Sequence, residues 1–214
     1  MNRITAIEQK KGKSDRWSVY VDGRHCLDCS AKLSAQYDLK VGDILEPERM
    51  EQLQQADELA EAKRQAVRLL GHRARTEVDL KKRLQQKNKF AEHTVDNTVA
   101  WLAEQGYLND TRYATDRVNS LLGRSKMGRN GLATRLIAEG VERQLARQTA
   151  EQTVTVAEER QWAHQIAQDR ARQMSSKPWQ TVKRNIWGYL NRRGFDSEII
   201  WDAIQALESD PDAM

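Results

Sequence analysis

The sequence has 214 residues, 39% of them apolar and 31% charged, with a mean hydropathy of −0.81 and a net charge of +4. No apolar run approaches the ~20 residues that a membrane-spanning helix needs, the opening MNRITAIEQKKG lacks the apolar stretch of a signal peptide, and two cysteines do not make a disulfide framework. A cytoplasmic, mainly α-helical protein with much solvated surface is expected.

Residues 3–29 read as three antiparallel strands. RITAIEQ and RWSVYVD alternate apolar and polar residues, the period of a half-buried strand, with KKGKSD as the turn between them. Asp22-Gly23 is a two-residue hairpin signal leading into RHCLDC. Ser30 suits the N-cap of a short helix in SAKLSAQYDL, and KVGDIL reads as a brief extended piece. A small β-rich region over 1–46 follows. Pro47 suits a first helical turn, and Leu53, Ala56, Ala60, Val67 and Leu70 fall at helical spacing. A long helix is expected over 47–71, with 47–65 as a linking segment.

Three similar passages come next. Phe90 is followed at helical spacing by Thr94, Val95, Thr98, Val99 and Leu102. Val141 is followed by Leu145, Ala146, Thr149, Ala150 and Thr153, and Phe195 by Ile199, Ile200, Ala203, Ile204 and Leu207. Each set forms one helical stripe. Upstream lie the pairs Leu80/Leu84, Leu132/Leu136 and Ile186/Leu190; the second members are 52 and 54 residues apart. AVRLL (66–70), RYATDRVNSLL (112–122) and QWAHQIAQDRARQM (161–174) supply a further helix to each passage. The period reads as tandem three-helix repeats over 66–110, 111–157 and 158–208, forming an elongated curved array, before an acidic tail at 209–214.

The net charge is −1 over residues 1–65, +8 over 66–207 and −3 over 208–214. Positive charge therefore accompanies the repeats and suits an acidic partner, nucleic acid or protein. In HRARTEVDLKKRL, Thr76 and Asp79 resemble a capping box, and Arg73, Arg75, Lys81, Lys82 and Arg83 form a candidate patch. GRSKMGRNG adds Arg124, Lys126 and Arg129, but lacks the Gly-Lys-Ser/Thr ending of a phosphate loop. Lys183, Arg184, Arg192 and Arg193 repeat the theme near the C-terminus. Each cation would face phosphate or carboxylate; alternatively each patch is a solvated helix face. Cys26 and Cys29 have the spacing of half a zinc or redox site. No second pair exists, and on a strand the two point to opposite faces, so they read as small apolar strand residues. Trp101, Trp162, Trp179, Trp187 and Trp201 read as core anchors, with base stacking as the other reading. No catalytic set, metal site or cofactor loop emerges.

RARTEVDL (73–80), EQGYLNDTRYA (104–114) and YLNRRGF (189–195) resemble, in order, signature words of the RecX family of bacterial recombinase regulators. The resemblance covers about residues 62–207. It implies a non-enzymatic helical-repeat protein that binds RecA filaments on single-stranded DNA and limits filament growth, ATP hydrolysis and strand exchange. A monomer without cofactor is expected. Two places depart from the pattern. Lys126-Met127-Gly128-Arg129 stands where the family has a Lys-Gly-x-Gly-Pro run, and QKNKF lacks the usual glycine, with Asn88 as a substitute cap. An autonomous DNA-binding helical repeat is the alternative. A zinc or redox enzyme built on Cys26 and Cys29 is the remote one.

Overall fold

The computed structural model describes residues 2–10, 15–88 and 90–209. Met1, residues 11–14 of the expected KKGKSD turn, Lys89 and the tail from 210 onward lie outside the described residues. Three strands, β1 (Ile4–Gln9), β2 (Arg16–Val21) and β3 (Arg24–Ser30), precede ten helices among the described residues. The chain is mainly α, as its periodicity predicts. It divides into two compact units, 1–73 with 80–107 and 74–79 with 108–214.

In the first unit the strands form an antiparallel sheet in the order β1-β2-β3. Asp22 (φ 48°) and Gly23 (φ 76°) both take the left-handed conformation that a tight, right-twisted hairpin requires. Ser30 caps α1 (Ala31–Gln36) by accepting the Leu33 amide at 3.2 Å. Ile4, Val19, Leu27, Cys29, Leu33, Leu45 and Leu53 make the core beneath the sheet. One expectation is corrected: Cys26 and Cys29 do not point to opposite faces. A bulge between the Val19–Leu27 and Tyr20–His25 pairs leaves Cys26 opposite no partner. This turns it toward the same core, with Sγ 2.8 Å from Met50 Sδ, while Cys29 is fully buried. Burial pushes both thiols above the ordinary cysteine value, so neither is an activated nucleophile.

The long helix α2 runs Pro47–His72. Its buried face is Leu53, Asp57, Ala62 and Ala66; the expected stripe holds at Leu53 and partly at Ala56 but not at Val67, which is 43% exposed. The cause is a buried charge. Asp57 accepts Arg16 Nη1 at 2.9 Å and the Ser30 amide at 3.0 Å, drawing its side of α2 against the sheet. Next come α3 (Glu77–Asn88) and α4 (Glu92–Glu104). Thr94, Val95, Thr98, Val99 and Leu102 are buried together on α4, as expected.

The second unit holds two helix triplets. The first is α5 (Asp110–Leu122), α6 (Arg129–Ala138) and α7 (Arg143–Thr153). The second is α8 (Val156–Gln173), α9 (Trp179–Arg192) and α10 (Ser197–Glu208). Each encloses its own core, with Leu132, Leu136, Val141 and Ala146 in one and Ile186, Leu190, Phe195, Ile200 and Ile204 in the other. The helix expected from residue 161 starts five residues earlier, at Val156. Thr155 and Glu158 form a reciprocal capping box there, each side chain taking the other's backbone amide.

Candidate binding surface

The surface that carries the positive charge is shaped by two backbone joints inside the second unit. At the first, the turn after α6 seats on the segment that opens α3. Thr76 Oγ1 donates to the Glu139 carbonyl at 2.8 Å and accepts the Asp79 amide at 3.2 Å. Gly140 has φ 94°, and a Cβ there would lie 2.7 Å from Thr76 Oγ1. At the second joint, the turn after α9 seats on the start of α6. Gly128 N donates to Arg193 O at 3.0 Å and Gly131 N to Gly194 O at 3.2 Å. A Cβ would fall 2.2 Å from Gly194 O at position 128, and 2.3 Å from Arg193 O at position 131. The glycines of GRSKMGRNG and RRG thus let two main chains touch.

The second joint brings together cations 67 residues apart in sequence. Arg193 Nη1 donates to the Lys126 carbonyl at 3.1 Å, and the Arg193 guanidinium lies 4.4 Å from the centre of the Tyr189 ring. Lys126 Nζ sits 4.3 Å from the Trp162 ring centre. Such pairs hold a cation at the surface with its charge undiminished. Arg124 and Arg192 are exposed and carry no ion pair among the described residues.

Other expected cations are internally engaged. Arg75 is buried, its Nη1 2.6 Å from the Asp79 carboxylate, and does not face a partner. The capping segment pins it: Asp79 sits one turn into the helix that Thr76 opens. Arg129 donates from Nε to Glu159 at 2.7 Å, and Glu159 is 1% exposed. A carboxylate buried to that degree needs its cation, so Arg129 holds α6 to α8. Lys183 pairs with Glu208 at 2.8 Å. Arg184 is exposed without an ion pair among the described residues. In the first patch, Lys81 pairs with Asp96 at 2.7 Å, and Arg73, Lys82 and Arg83 are exposed.

The sequence reading missed Arg143 and Arg147. They lie one turn apart on exposed α7 and line, with Arg129, a groove of about 620 Å³ against α6. The signal was present as an i,i+4 pair flanking the apolar stripe beside Ala150, but without a local cluster it did not stand out. Of the tryptophans, Trp162, Trp179 and Trp187 pack half-buried against the helix cores as expected, whereas Trp101 belongs to no core cluster among the described residues and Trp201 is 45% exposed.

Glu139 supports the first joint. It accepts Arg117 through Nε (2.8 and 2.9 Å) and Nη2 (2.6 Å), and the Tyr113 hydroxyl at 2.9 Å. Arg117, and then Tyr113, hold its carboxyl below the ordinary glutamate value of 4.5. A lowered folded-state value contributes stability that is full above the unfolded-state value and is lost as pH falls on through the folded-state value. The stability gap between the wild-type chain and Glu139→Gln should therefore be full at neutral pH and close below pH 4.5. Urea titrations at pH 7 and pH 3.5 check this; a pH-independent gap would refute it.

A three-stranded sheet followed by three-helix groups defines a helical-repeat protein. Residues 2–46 match the profile "Regulatory protein RecX N-terminal domain", 62–102 "RecX, first three-helix domain" and 158–204 "RecX, third three-helix domain". Together these span more than half of the chain. The regulatory protein RecX of Clostridioides difficile (strain 630) is 26% identical over 207 residues, 97% of this chain and 96% of the relative. That of Clostridium perfringens (strain 13 / Type A) is 26% identical over 209 residues, 97% of each. The fold is similar to a crystal structure of regulatory protein RecX, with TM-score 0.71 and 22% identity, over 94% of this chain and 100% of that one. It is also similar to RecX from Lactobacillus salivarius, with TM-score 0.64 and 21% identity, over 72% and 99%. The chain belongs to the RecX family of regulatory proteins.

Proposed function

We propose that this chain regulates RecA by binding its filament on single-stranded DNA, limiting filament growth, ATP hydrolysis and strand exchange. It acts by binding rather than catalysis, as a cytoplasmic monomer, with repeat units at 66–110, 111–157 and 158–208. Family membership supports RecA as the partner. The observation that carries the site is the second joint, where Gly128 and Gly131 meet Arg193 and Gly194 and Arg193 reaches the Lys126 carbonyl, with the exposed Arg124 and Arg192 within two residues of them in the chain. A cationic surface of this kind suits the polyanion and acidic side chains of a nucleoprotein filament.

The test is ATP hydrolysis by preformed RecA filaments on single-stranded DNA as the chain is titrated in at physiological salt. Inhibition well below one chain per RecA supports a filament-directed regulator. Inhibition only once free DNA is coated supports an autonomous DNA-binding protein instead. Arg124→Glu with Arg192→Glu should raise the half-inhibitory concentration about tenfold or more, since like charges set against a partner are costly. Helix content should not change, because neither arginine has an ion pair among the described residues. Unaltered inhibition by the double variant would remove the joint from the site.

A further inference from the structure

A second groove, of about 570 Å³, lies between α9 and α10, lined by Gln180, Lys183, Arg184, Trp187, Trp201 and Ile204. Its volume falls within the ~300–1,000 Å³ common for small-ligand sites. Trp201 is the one exposed tryptophan among the described residues. The α10 stripe of Ile199, Ile200, Ala203, Ile204 and Leu207 fills the core without it. Its ring centre is 4.8 Å from that of Trp187, with the planes 48° apart. Trp187 thus supports the indole from one side.

The charges around the groove point to one kind of ligand. Lys183 Nζ is 5.2 Å from the Trp201 ring centre and also pairs with Glu208. Glu208 accepts Trp179 Nε1 at 2.9 Å as well, so the nearby carboxylate is engaged. Asp202, next to Trp201, lies 3.8 Å from Arg160. Arg184 is exposed without an ion pair among the described residues, and no acidic side chain lines the groove. An exposed indole beside an unneutralised guanidinium matches a ligand with a flat apolar face and an adjoining negative charge.

We propose that the α9–α10 groove holds an unpaired base of single-stranded DNA, stacked on Trp201, with Arg184 on the adjoining phosphate. This deepens the reading of the chain as a ligand of the RecA–DNA filament and rests on it for the source of the strand. Stacking on an aromatic tolerates any base and binds without sequence preference. Among the exposed cations, Arg184 would contribute a further contact whose strength falls with salt.

The experiment measures anisotropy of a labelled oligothymidylate and of an abasic deoxyribose-phosphate strand of equal length. Both are titrated with the wild-type chain, Trp201→Ala, Trp201→Phe and Arg184→Ala, and helix content is verified by circular dichroism. Trp201→Ala should weaken oligothymidylate binding roughly 5- to 100-fold, the usual effect of losing one stacked base, and leave the abasic strand unchanged. Trp201→Phe keeps a ring and should retain most of the affinity. Arg184→Ala should weaken both strands alike. Equal binding of both strands by the wild-type chain, or no effect of Trp201→Ala, overturns the proposal. So does a Trp201→Ala defect seen with RecA filaments but not with naked oligothymidylate. That outcome would put a protein surface in the groove and leave the regulator reading standing. A Trp201-dependent preference for the base-bearing strand, without inhibition of RecA, would keep this proposal and remove the other.

Discussion

Gly131→Val is expected to lower the stability of the second unit by about 3 kcal/mol or more, at the upper end of overpacking costs. The built Cβ lies 2.3 Å from Arg193 O and 2.9 Å from its carbonyl carbon. Both are main-chain atoms, so no rotamer change relieves the clash. The turn after α9 must move away from α6, and the bonds from Gly128 N to Arg193 O and from Gly131 N to Gly194 O are lost with it. Gly123→Ala is the control within the same sequence segment. Its Cβ would meet the Asn119 carbonyl at 3.4 Å, an ordinary contact, and its φ of −63° suits any residue. Urea unfolding followed by circular dichroism compares the two. If Gly131→Val unfolds at the same midpoint as Gly123→Ala, the joint is not closed as described. The same Gly131 variant should inhibit RecA poorly, because Arg193 no longer sits over Lys126.

Asp57→Ala should cost about 3–5 kcal/mol in the first unit, the range for stranding one partner of a buried ion pair. The side chains of Arg16 and Asp57 are 19% and 9% exposed, and their closest approach is 2.7 Å. Removing the carboxylate strips the Arg16 guanidinium of its counter-charge, leaving it the Asp28 carbonyl, and orphans the Ser30 amide at the start of α1. Arg16→Met combined with Asp57→Leu should recover much of the loss, since an apolar pair of similar volume needs no compensating charge. Thermal unfolding of the two singles and the double closes a mutant cycle. Purely additive losses would show that the two side chains do not depend on one another.

Much of the helical framework could be read from spacing alone. The pairs Leu80/Leu84, Leu132/Leu136 and Ile186/Leu190 are all buried, and the stripe after Phe195 is buried throughout. Those signals are local, because apolar residues four apart meet on one face whatever lies beyond. The buried face of α2 was misread because one of its members is Asp57, which lies inside only because Arg16, 41 residues away, meets it. Charge roles failed for the same reason. A count of cations cannot show that Arg129 belongs to Glu159, 30 residues on, or Lys183 to Glu208, 25 on. Nor could the glycines of GRSKMGRNG announce close approach, since the chain they touch lies at 193–194. The exposed cations Arg124, Arg184 and Arg192 were legible because no distant partner altered them.

The joint between α6 and the turn after α9 is made by amides and carbonyls, the one part of a polypeptide that does not change when its side chains do. Alignment of the two triplets is thereby uncoupled from the identity of most residues projecting beside it. The exposed arginines at 124 and 192 can become lysines, neutral groups or acids one at a time, and the frame that presents them will hold its pose; Arg129, bound to buried Glu159, has no such freedom. A library varied at positions 124 and 192 would accordingly sample recognition alone, on an unaltered mount, and the same mount could be fitted to a different polymer.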